Sequence, residues 1–199
     1  MTDSKKVLGV VFSLSLGEVP TPEAISSALD IDGEAVDEEL GKLSQGGYIE
    51  ERGGRIELTP KGRKRIKVVF IGGGFEVIHR GHLYTIDRAK SLGDVLVVSV
   101  ARDSTLRRRK KRTPMANEQE RLRLLSSLRQ VDAAILGVRG DIYRTLERVK
   151  PDVVALGYDQ YHSESDIARE AKRRGLKLKV VRLDSPYPEI KTSSLLRET

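Results

Sequence analysis

The sequence lacks cysteine entirely, although it is 199 residues long. This absence excludes disulfides, thiolate metal sites and a cysteine nucleophile, so any chemistry must come from other polar side chains and backbone groups. The sequence also lacks a run of about eighteen apolar residues, and it begins with an amphipathic pattern rather than a signal-type apolar stretch. We therefore expect a cytoplasmic protein that does not enter a membrane.

Charge is distributed unevenly along the chain. Residues 1–60 carry five basic and twelve acidic side chains, a net charge of −7, whereas residues 61–199 carry 31 and 17, a net charge of +14. A chain of this length suits a small domain followed by a medium one, and we predict domains over residues 1–64 and 65–199. Because basic domains attract polyanions, the second is predicted to bind nucleic acid or nucleotide phosphates, with solubility as the simpler alternative.

The first domain is predicted to consist of three short helices and a β-hairpin. Thr21, Pro22 and Asp32 are of the residue types that begin helices, and apolar residues recur near them at helical spacing. A Gly53-Gly54 pair lies between two alternating segments, as is typical of a hairpin turn. The predicted elements are helices over residues 7–16, 22–29 and 34–44 and a hairpin over residues 48–58.

This arrangement resembles the bacterial and archaeal winged-helix regulators, most clearly in residues 43–49 and 58–63. The resemblance implies DNA binding through the third helix, which would lie in the major groove. The charged residues of that helix are Glu34, Asp37, Glu38, Glu39 and Lys42. An acidic helix repels DNA phosphates, so DNA is a disfavoured partner, and protein interaction or homodimerisation is the preferred role.

From Ile66 onward, apolar β-branched segments alternate with helical patterns. The predicted strands are residues 66–71, 95–100, 133–136, 152–156 and 178–183, and the helices between them are residues 81–92, 117–128, 141–149 and 164–174. Strands that are apolar throughout indicate a parallel sheet covered on both faces. The predicted fold is therefore α/β, a Rossmann-like doubly wound five-stranded parallel sheet preceded by a small winged-helix domain. Ligands of such sheets bind beyond the carboxyl ends of the strands.

A glycine-rich segment with two histidines follows the first of these strands. Gly72-Gly73-Gly74 would let backbone amides approach a phosphate, and the helix that begins nearby adds partial positive charge. His79 and His82, separated by Arg80-Gly81, can both point at one pyrophosphate, which suits a reaction in which charge grows on an α-phosphate. The alternatives are that the histidines cap the helix or bind a metal.

Residues 66–199 resemble the cytidylyltransferase-like nucleotidyltransferases, a superfamily marked by an HxGH signature. The further segments that carry the resemblance are Arg102-Asp103-Ser104, Arg107 to Arg112, Pro114, Glu118, Arg121, residues 128–132, Gly157-Tyr158-Asp159-Gln160 and Lys191-Thr192-Ser193-Ser194. The last two segments are closer to the archaeal FAD synthases than to the glycerol-phosphate cytidylyltransferases. The resemblance therefore implies that this protein has the fold and the activity of the archaeal FAD synthases.

The resemblance implies a role for each matching residue. The implied catalytic residues are His79, His82 and Lys111, and the implied acceptor-binding residues are Lys110 and Arg121. The implied nucleotide-binding residues are Gly73, Gly74, Phe75, His79, His82, Gly157, Asp159, Lys191, Thr192, Ser193 and Ser194. Alternatively, residues 107–112 form a solvated charge run and Ser193 and Ser194 only cap a helix. No metal ligand is predicted in the protein, and Mg²⁺ is expected to enter with the nucleoside triphosphate.

Two positions depart from the family pattern. Gly74 stands where the family usually has Thr, and Glu76 stands where it usually has Asp, so activity could be reduced or re-tuned. The third histidine, His162, follows the Gly157 segment and could contact substrate, although a surface position is the commoner case.

The predicted reaction is direct transfer of a nucleoside monophosphate to a phosphate-bearing acceptor, with release of pyrophosphate and without a covalent intermediate. FMN adenylylation is the first choice of reaction. A CTP-dependent enzyme acting on glycerol phosphate or a similar alcohol phosphate is the second. A third hypothesis, from another class, is a transcriptional regulator that senses a nucleotide or flavin through its transferase domain.

Overall fold

A computed structural model describes residues 3–185 and 187 of the chain. The chain divides into two compact units, Met1–Lys67 and Val68–Thr199. The division falls three residues later than the predicted boundary. Ile66, just before it, is buried, and its carbonyl oxygen accepts a hydrogen bond from Arg63 at 3.0 Å. In the part of the chain that the structure describes, no helix is long and apolar enough to cross a membrane.

The first unit contains the predicted helices and hairpin. Its elements are α1 (Ser4–Ser15), α2 (Pro22–Leu29), α3 (Gly33–Gln45), β1 (Ile49–Arg52), β2 (Arg55–Leu58) and α4 (Pro60–Arg63). The side chains of Thr21 and Asp32 cap α2 and α3 by accepting hydrogen bonds from backbone amides, as their residue types predict. Gly53 and Gly54 both have positive φ, which is the backbone that a two-residue hairpin turn requires.

The second unit is built on a five-stranded parallel sheet. Its strands are β3 (Val68–Gly73), β4 (Val95–Val100), β5 (Ala133–Leu136), β6 (Val153–Leu156) and β7 (Lys179–Arg182). Its helices are α5 (Arg80–Lys90), α6 (Asp103–Lys110), α7 (Glu118–Ser126), α8 (Ile142–Val149) and α9 (Glu164–Arg173). The strand order is β5-β4-β3-β6-β7, and all four neighbouring pairs are parallel. The α/β fold and the five-stranded sheet predicted from the sequence are confirmed.

The order of the strands reverses between β3 and β6, which therefore flank the switch point where doubly wound sheets bind ligands. All six residues of β4 are buried, and the first four of β3 are also buried. The last two residues of β3, Gly72 and Gly73, are only half-buried. The central strands thus form the core along most of their length and open toward a crevice at their carboxyl ends.

Helix α6 was absent from the predicted elements. Its sequence, DSTLRRRK, has one buried residue, Leu106, so it carries almost no apolar periodicity from which a helix could be predicted. Polar contacts define its beginning instead. Glu118 accepts a hydrogen bond from the backbone amide of Asp103 at 2.8 Å and pairs with Arg102 at 2.8 Å.

Candidate active site

The glycine-rich loop connects β3 to α5 in a conformation that depends on its small residues. A Cβ atom on Gly73 would lie 2.9 Å from two atoms of the Phe75 ring, so only glycine fits without a shift of that ring. Phe75 itself is buried and has a φ of 49°, which turns the chain sharply toward the helix. A Cβ on Gly74 would lie 3.2 Å from Cδ2 of Leu106, so α6 occupies part of the space that the family's Thr side chain would need.

His79 and His82 meet at the beginning of α5. His79 is the N-cap residue, and the two imidazole centroids are 4.0 Å apart with 36° between the ring planes. The ring of Phe75 lies 5.4 Å from that of His82. Nδ1 of His82 is buried and has no hydrogen-bond partner among the described residues. Buried polar atoms in proteins usually have a hydrogen-bond partner, so this nitrogen is an exception.

Burial lowers the pKa of His82 to about 4, and the charges of His79 and Lys110 act in the same direction against a hydrogen bond with the backbone of Val77. Burial also lowers the pKa of His79, although the carboxylate of Asp159 opposes that shift. Both imidazoles are therefore neutral at pH 7. Each neutral ring has one N–H donor and one acceptor nitrogen.

A cavity of about 710 Å³ lies beside this histidine pair, at the carboxyl ends of the strands. Its volume is within the usual range of small-molecule sites, about 300–1,000 Å³. The residues from the predicted site that line it are Gly73, Gly74, Phe75, His82, Lys110, Gly157 and Asp159. The structure therefore brings together the glycine loop, one histidine of the pair, the end of α6 and the loop after β6.

The loop after β6 is held by hydrogen bonds from two side chains. Nε2 of Gln160 donates to the carbonyl oxygen of Gly72 at 2.7 Å, which joins this loop to the end of β3. The guanidinium of Arg182, on β7, donates to the carbonyl oxygens of Gly157, Gln160 and His162 at 2.9, 3.0 and 2.6 Å. These contacts hold the part of the loop that contains Asp159 at the cavity.

Lys110 and Lys111 are adjacent but differently placed. Lys110 lines the cavity, and its ammonium group is paired with Glu76. Lys111 is exposed at the C-cap of α6 with a φ of 55°, a left-handed conformation that favours glycine. The positions favour Lys110 for contact with substrate phosphates, while the catalytic role of Lys111 stays a prediction.

Arg121 is almost completely buried, with 1% of its surface exposed. Its guanidinium donates to the carbonyl oxygens of Gly74, Ala101 and Ala116 at 2.6, 2.8 and 3.1 Å and to Oδ1 of Asp103 at 2.7 Å. These bonds tie the glycine loop to the end of β4 and the beginning of α6. The structure shows that Arg121 joins these segments inside the second unit. Its role in acceptor binding stays a prediction.

The sequence interpretation missed the cavity wall on the side of β4 and β5. Arg102 lines this wall and donates from Nε to the carbonyl oxygen of Gly137 at 2.8 Å. The other residues of the wall are Ser99, Val138, Gly140, Asp141, Ile142, Tyr143 and Thr145. Gly137 directly follows the predicted strand of residues 133–136, and Gly140 lies three residues further on. These glycines were the signal that could have marked the loop as part of the site.

His162 lies in the cavity wall as well, next to an aromatic contact. Its ring centroid is 3.9 Å from that of Tyr161, and the guanidinium of Arg109 lies 3.9 Å from the Tyr161 ring. Burial, assisted by the charge of Arg109, lowers the pKa of His162. Residues Lys191, Thr192, Ser193 and Ser194 lie outside the described residues.

Residues 70–198 match the protein family described as cytidylyltransferase-like. The match covers more than half of the chain, and the chain belongs to this family. The enzyme class predicted from the sequence, a nucleotidyltransferase, is therefore confirmed.

Curated relatives carry the name FAD synthase. The protein of Aciduliprofundum boonei is 48% identical over 115 residues, which make up 58% of this chain and 76% of the relative. The protein of Thermoplasma volcanium is 42% identical over 130 residues, 65% of this chain and 91% of the relative.

Two crystal structures share the fold. One from Thermoplasma volcanium, described as a lipopolysaccharide core biosynthesis protein, is 42% identical with a TM-score of 0.58 and covers 60% of this chain and 98% of that one. Another from Archaeoglobus fulgidus, described as having unknown function, is 20% identical with a TM-score of 0.51. It covers 63% of this chain and 94% of that one. The second likeness shows the fold alone.

Proposed function

We propose that this nucleotidyltransferase transfers AMP from ATP to FMN, forming FAD and pyrophosphate. The observation that supports the proposal most strongly is the set of archaeal relatives named FAD synthase, including two at 48% and 42% identity. The cavity agrees with it, since the glycine loop and His82, near the N-terminus of α5, line it at the switch point of the sheet.

In the proposed reaction, an oxygen of the FMN phosphate attacks the α-phosphorus of ATP. A new P–O bond forms as the bond from the α-phosphorus to the bridging oxygen breaks, and that electron pair leaves with pyrophosphate. Negative charge grows on the bridging and non-bridging oxygens, and His79 and His82, whose rings lie 4.0 Å apart, are proposed to donate N–H hydrogen bonds to them. The protein contributes positioning and charge stabilisation and forms no covalent intermediate.

Magnesium is proposed to enter on the triphosphate oxygens of ATP and so belongs to the substrate. Within residues 3–185 and 187, no group of three or more His, Cys, Asp or Glu side chains could hold a metal ion. Cations on α6, with Lys110 at the cavity, add positive charge near the phosphates.

The two ends of the cavity suit two different substrates. The side near Gly157 and Asp159 is proposed to bind the nucleotide, which agrees with the resemblance of residues 157–160 to a nucleotide-binding segment. The opposite wall, with Arg102 and Tyr143, is proposed to receive the acceptor, so that both phosphates meet between them at the histidine pair. Lys191 and the hydroxyls of residues 192–194 are proposed to bind the β- and γ-phosphates.

The proposal is tested by pyrophosphate release, with ATP or CTP offered in turn against FMN, glycerol phosphate, choline phosphate and ethanolamine phosphate. Release with ATP and FMN alone supports FAD synthesis. Release with CTP and an alcohol phosphate would replace it with the second candidate, which the family's cytidylyltransferase-like description favours. The His82→Ala variant serves as the control for contaminating activity.

For the first unit we propose a winged-helix-like domain that contacts protein rather than DNA. Its three helices followed by a hairpin support the first part. Glu34, Asp37 and Glu38 of α3 are exposed, which supports the second part because an exposed acidic helix repels phosphates. A gel-shift titration at low salt, with and without FMN and ATP, tests for a regulator, and sedimentation measures whether the chain forms a homodimer. Binding to duplex DNA would overturn the proposal.

A further inference from the structure

Glu76 occupies an unusual position for a charged residue. Its side chain is completely buried, at 0% exposure, in the loop between Phe75 and the histidine pair. Isolated buried carboxylates are costly, so they are normally paired with cations. The structure shows two such partners, and both come from the end of α6 and the residues that follow it.

The partners of Glu76 are Lys110 and Arg112. The ammonium group of Lys110 binds Oε2, and Arg112 donates from Nη1 to Oε1 at 2.9 Å and from Nη2 to Oε2 at 3.2 Å. Arg112 also donates to the carbonyl oxygen of Thr113 at 3.1 Å. The two side chains remain 34% and 38% exposed, so each keeps solvent-accessible surface while it is bound to the carboxylate.

The charges of this cluster do not cancel. Two cations share one carboxylate, which leaves one net positive charge where Lys110 lines the cavity. Burial alone would raise the pKa of Glu76, but hydrogen bonds and charges from Lys110 and Arg112 outweigh burial and lower it. The carboxylate is therefore ionised at neutral pH and holds both cations by charge-assisted hydrogen bonds.

We propose that Glu76 is a positioning residue that orients Lys110 and Arg112 as a paired binding site for a substrate phosphate. The inference rests on the proposed function and adds Arg112 to the phosphate-binding groups. It also gives a reason for the longer carboxylate at this position, because one side chain bridges the glycine loop and the end of α6. The phosphate belongs either to ATP or to the acceptor.

A positioning role and a purely electrostatic role of the Glu76 carboxylate predict opposite effects of Glu76→Gln on phosphate binding. If the carboxylate only added negative charge near the cavity, its loss would strengthen phosphate binding. If it orients the two cations, its loss lets them move, and displacement of about 1 Å can cost about a hundredfold in rate. We expect Glu76→Gln to weaken the binding of inorganic pyrophosphate by at least about tenfold and to lower kcat/KM to a similar extent.

The experiment measures pyrophosphate, ATP and FMN binding by calorimetry and turnover by pyrophosphate release. Its variants are Glu76→Gln, Glu76→Asp, Lys110→Gln, Arg112→Gln and the double variant Glu76→Gln/Lys110→Gln. Glu170→Gln is the matched control, since Glu170 also pairs with two basic side chains, Arg173 and Arg174, on a different helix. Glu76→Asp keeps the negative charge, so we expect it to lose less pyrophosphate affinity and less turnover than Glu76→Gln.

If Glu76 acts by orienting the two cations, the loss of pyrophosphate binding in the double variant is smaller than the sum of the losses in Glu76→Gln and Lys110→Gln, because the two effects are not additive. Lys110 and Arg112 are partly exposed, so we expect their single variants to fold. These variants show whether each cation binds phosphate even if Glu76→Gln does not fold. Unchanged or tighter pyrophosphate binding by folded Glu76→Gln, or full additivity in the double variant, would overturn the inference. Loss of ATP binding or of FMN binding alone assigns the phosphate to that substrate.

The binding measurements separate this inference from the proposed function. A wild-type protein that releases no pyrophosphate from ATP and FMN refutes FAD synthesis, while weaker pyrophosphate binding by the Glu76 variant still supports the positioning role. Turnover that is retained at the wild-type rate in folded Glu76→Gln refutes positioning and leaves FAD synthesis supported.

Discussion

The imidazole rings of His79 and His82 lie with their centroids 4.0 Å apart at the beginning of α5. Because both rings are neutral at pH 7, each has one N–H group, which we propose donates a hydrogen bond to a phosphate oxygen in the transition state. We expect replacement of either histidine by Ala to lower kcat by about a hundredfold to a thousandfold, as for other lost oxyanion donors. Pyrophosphate release measures the effect.

His162 provides the comparison for that experiment. It is the third histidine of the chain, and its ring packs against Tyr161 rather than against the pair. His162→Ala is expected to change kcat by less than about tenfold, well below the loss expected for an oxyanion donor. Turnover by His79→Ala or His82→Ala within a few-fold of the wild-type value would contradict the assigned role.

Protonation of His82 is expected to reduce stability in acid. Its pKa falls from the ordinary 6.5 to about 4 on folding, so the unfolded chain binds the proton first as the pH decreases. Its contribution to the unfolding free energy is fully present above about pH 6.5 and is lost toward pH 4, with a slope of at most about 1.4 kcal/mol per pH unit. Urea unfolding of the wild type and of His82→Gln at pH 7, 6 and 5 measures the difference, and parallel pH profiles would contradict it.

Lys111→Gly is expected to stabilise the protein. Lys111 has a φ of 55° at the C-cap of α6, where an L-residue costs about 1–2 kcal/mol and glycine does not. After the entropy that glycine loses on folding, the expected gain in unfolding free energy is about 0.5–1 kcal/mol. The same variant tests catalysis: retained turnover would favour Lys110 as the phosphate contact, whereas a large loss would support the predicted catalytic role of Lys111.

Arg121→Met is expected to destabilise the second unit strongly. The change removes four hydrogen bonds from a buried guanidinium and leaves Asp103 without this partner, a type of change that costs about 3–5 kcal/mol. Arg123→Met is the matched control, since Arg123 is exposed on the same helix, α7. Chemical denaturation compares the two, and equal losses of unfolding free energy would contradict a scaffolding role for Arg121.

Much of the fold could be predicted from local patterns. Thr21 and Asp32 cap the helices that their residue types predict, and all five strands of the parallel sheet were found with ends within about two residues. These features depend on residues close together in the chain. Helix α6 escaped prediction because Leu106 is its single buried residue, and its beginning depends on Glu118, which lies well beyond its end in the sequence.

The sequence alone determined the alternation of strands and helices, the glycine loop and the pair of histidines at one helix N-terminus, since each follows from residue type and spacing. Only the tertiary structure decided that Arg121 faces inward, that Lys110 rather than Lys111 reaches the cavity and that Glu76 holds two cations. The physical reason is that burial and ion pairing depend on which segments meet, and Glu76 meets Lys110 and Arg112 across 34 and 36 residues of chain.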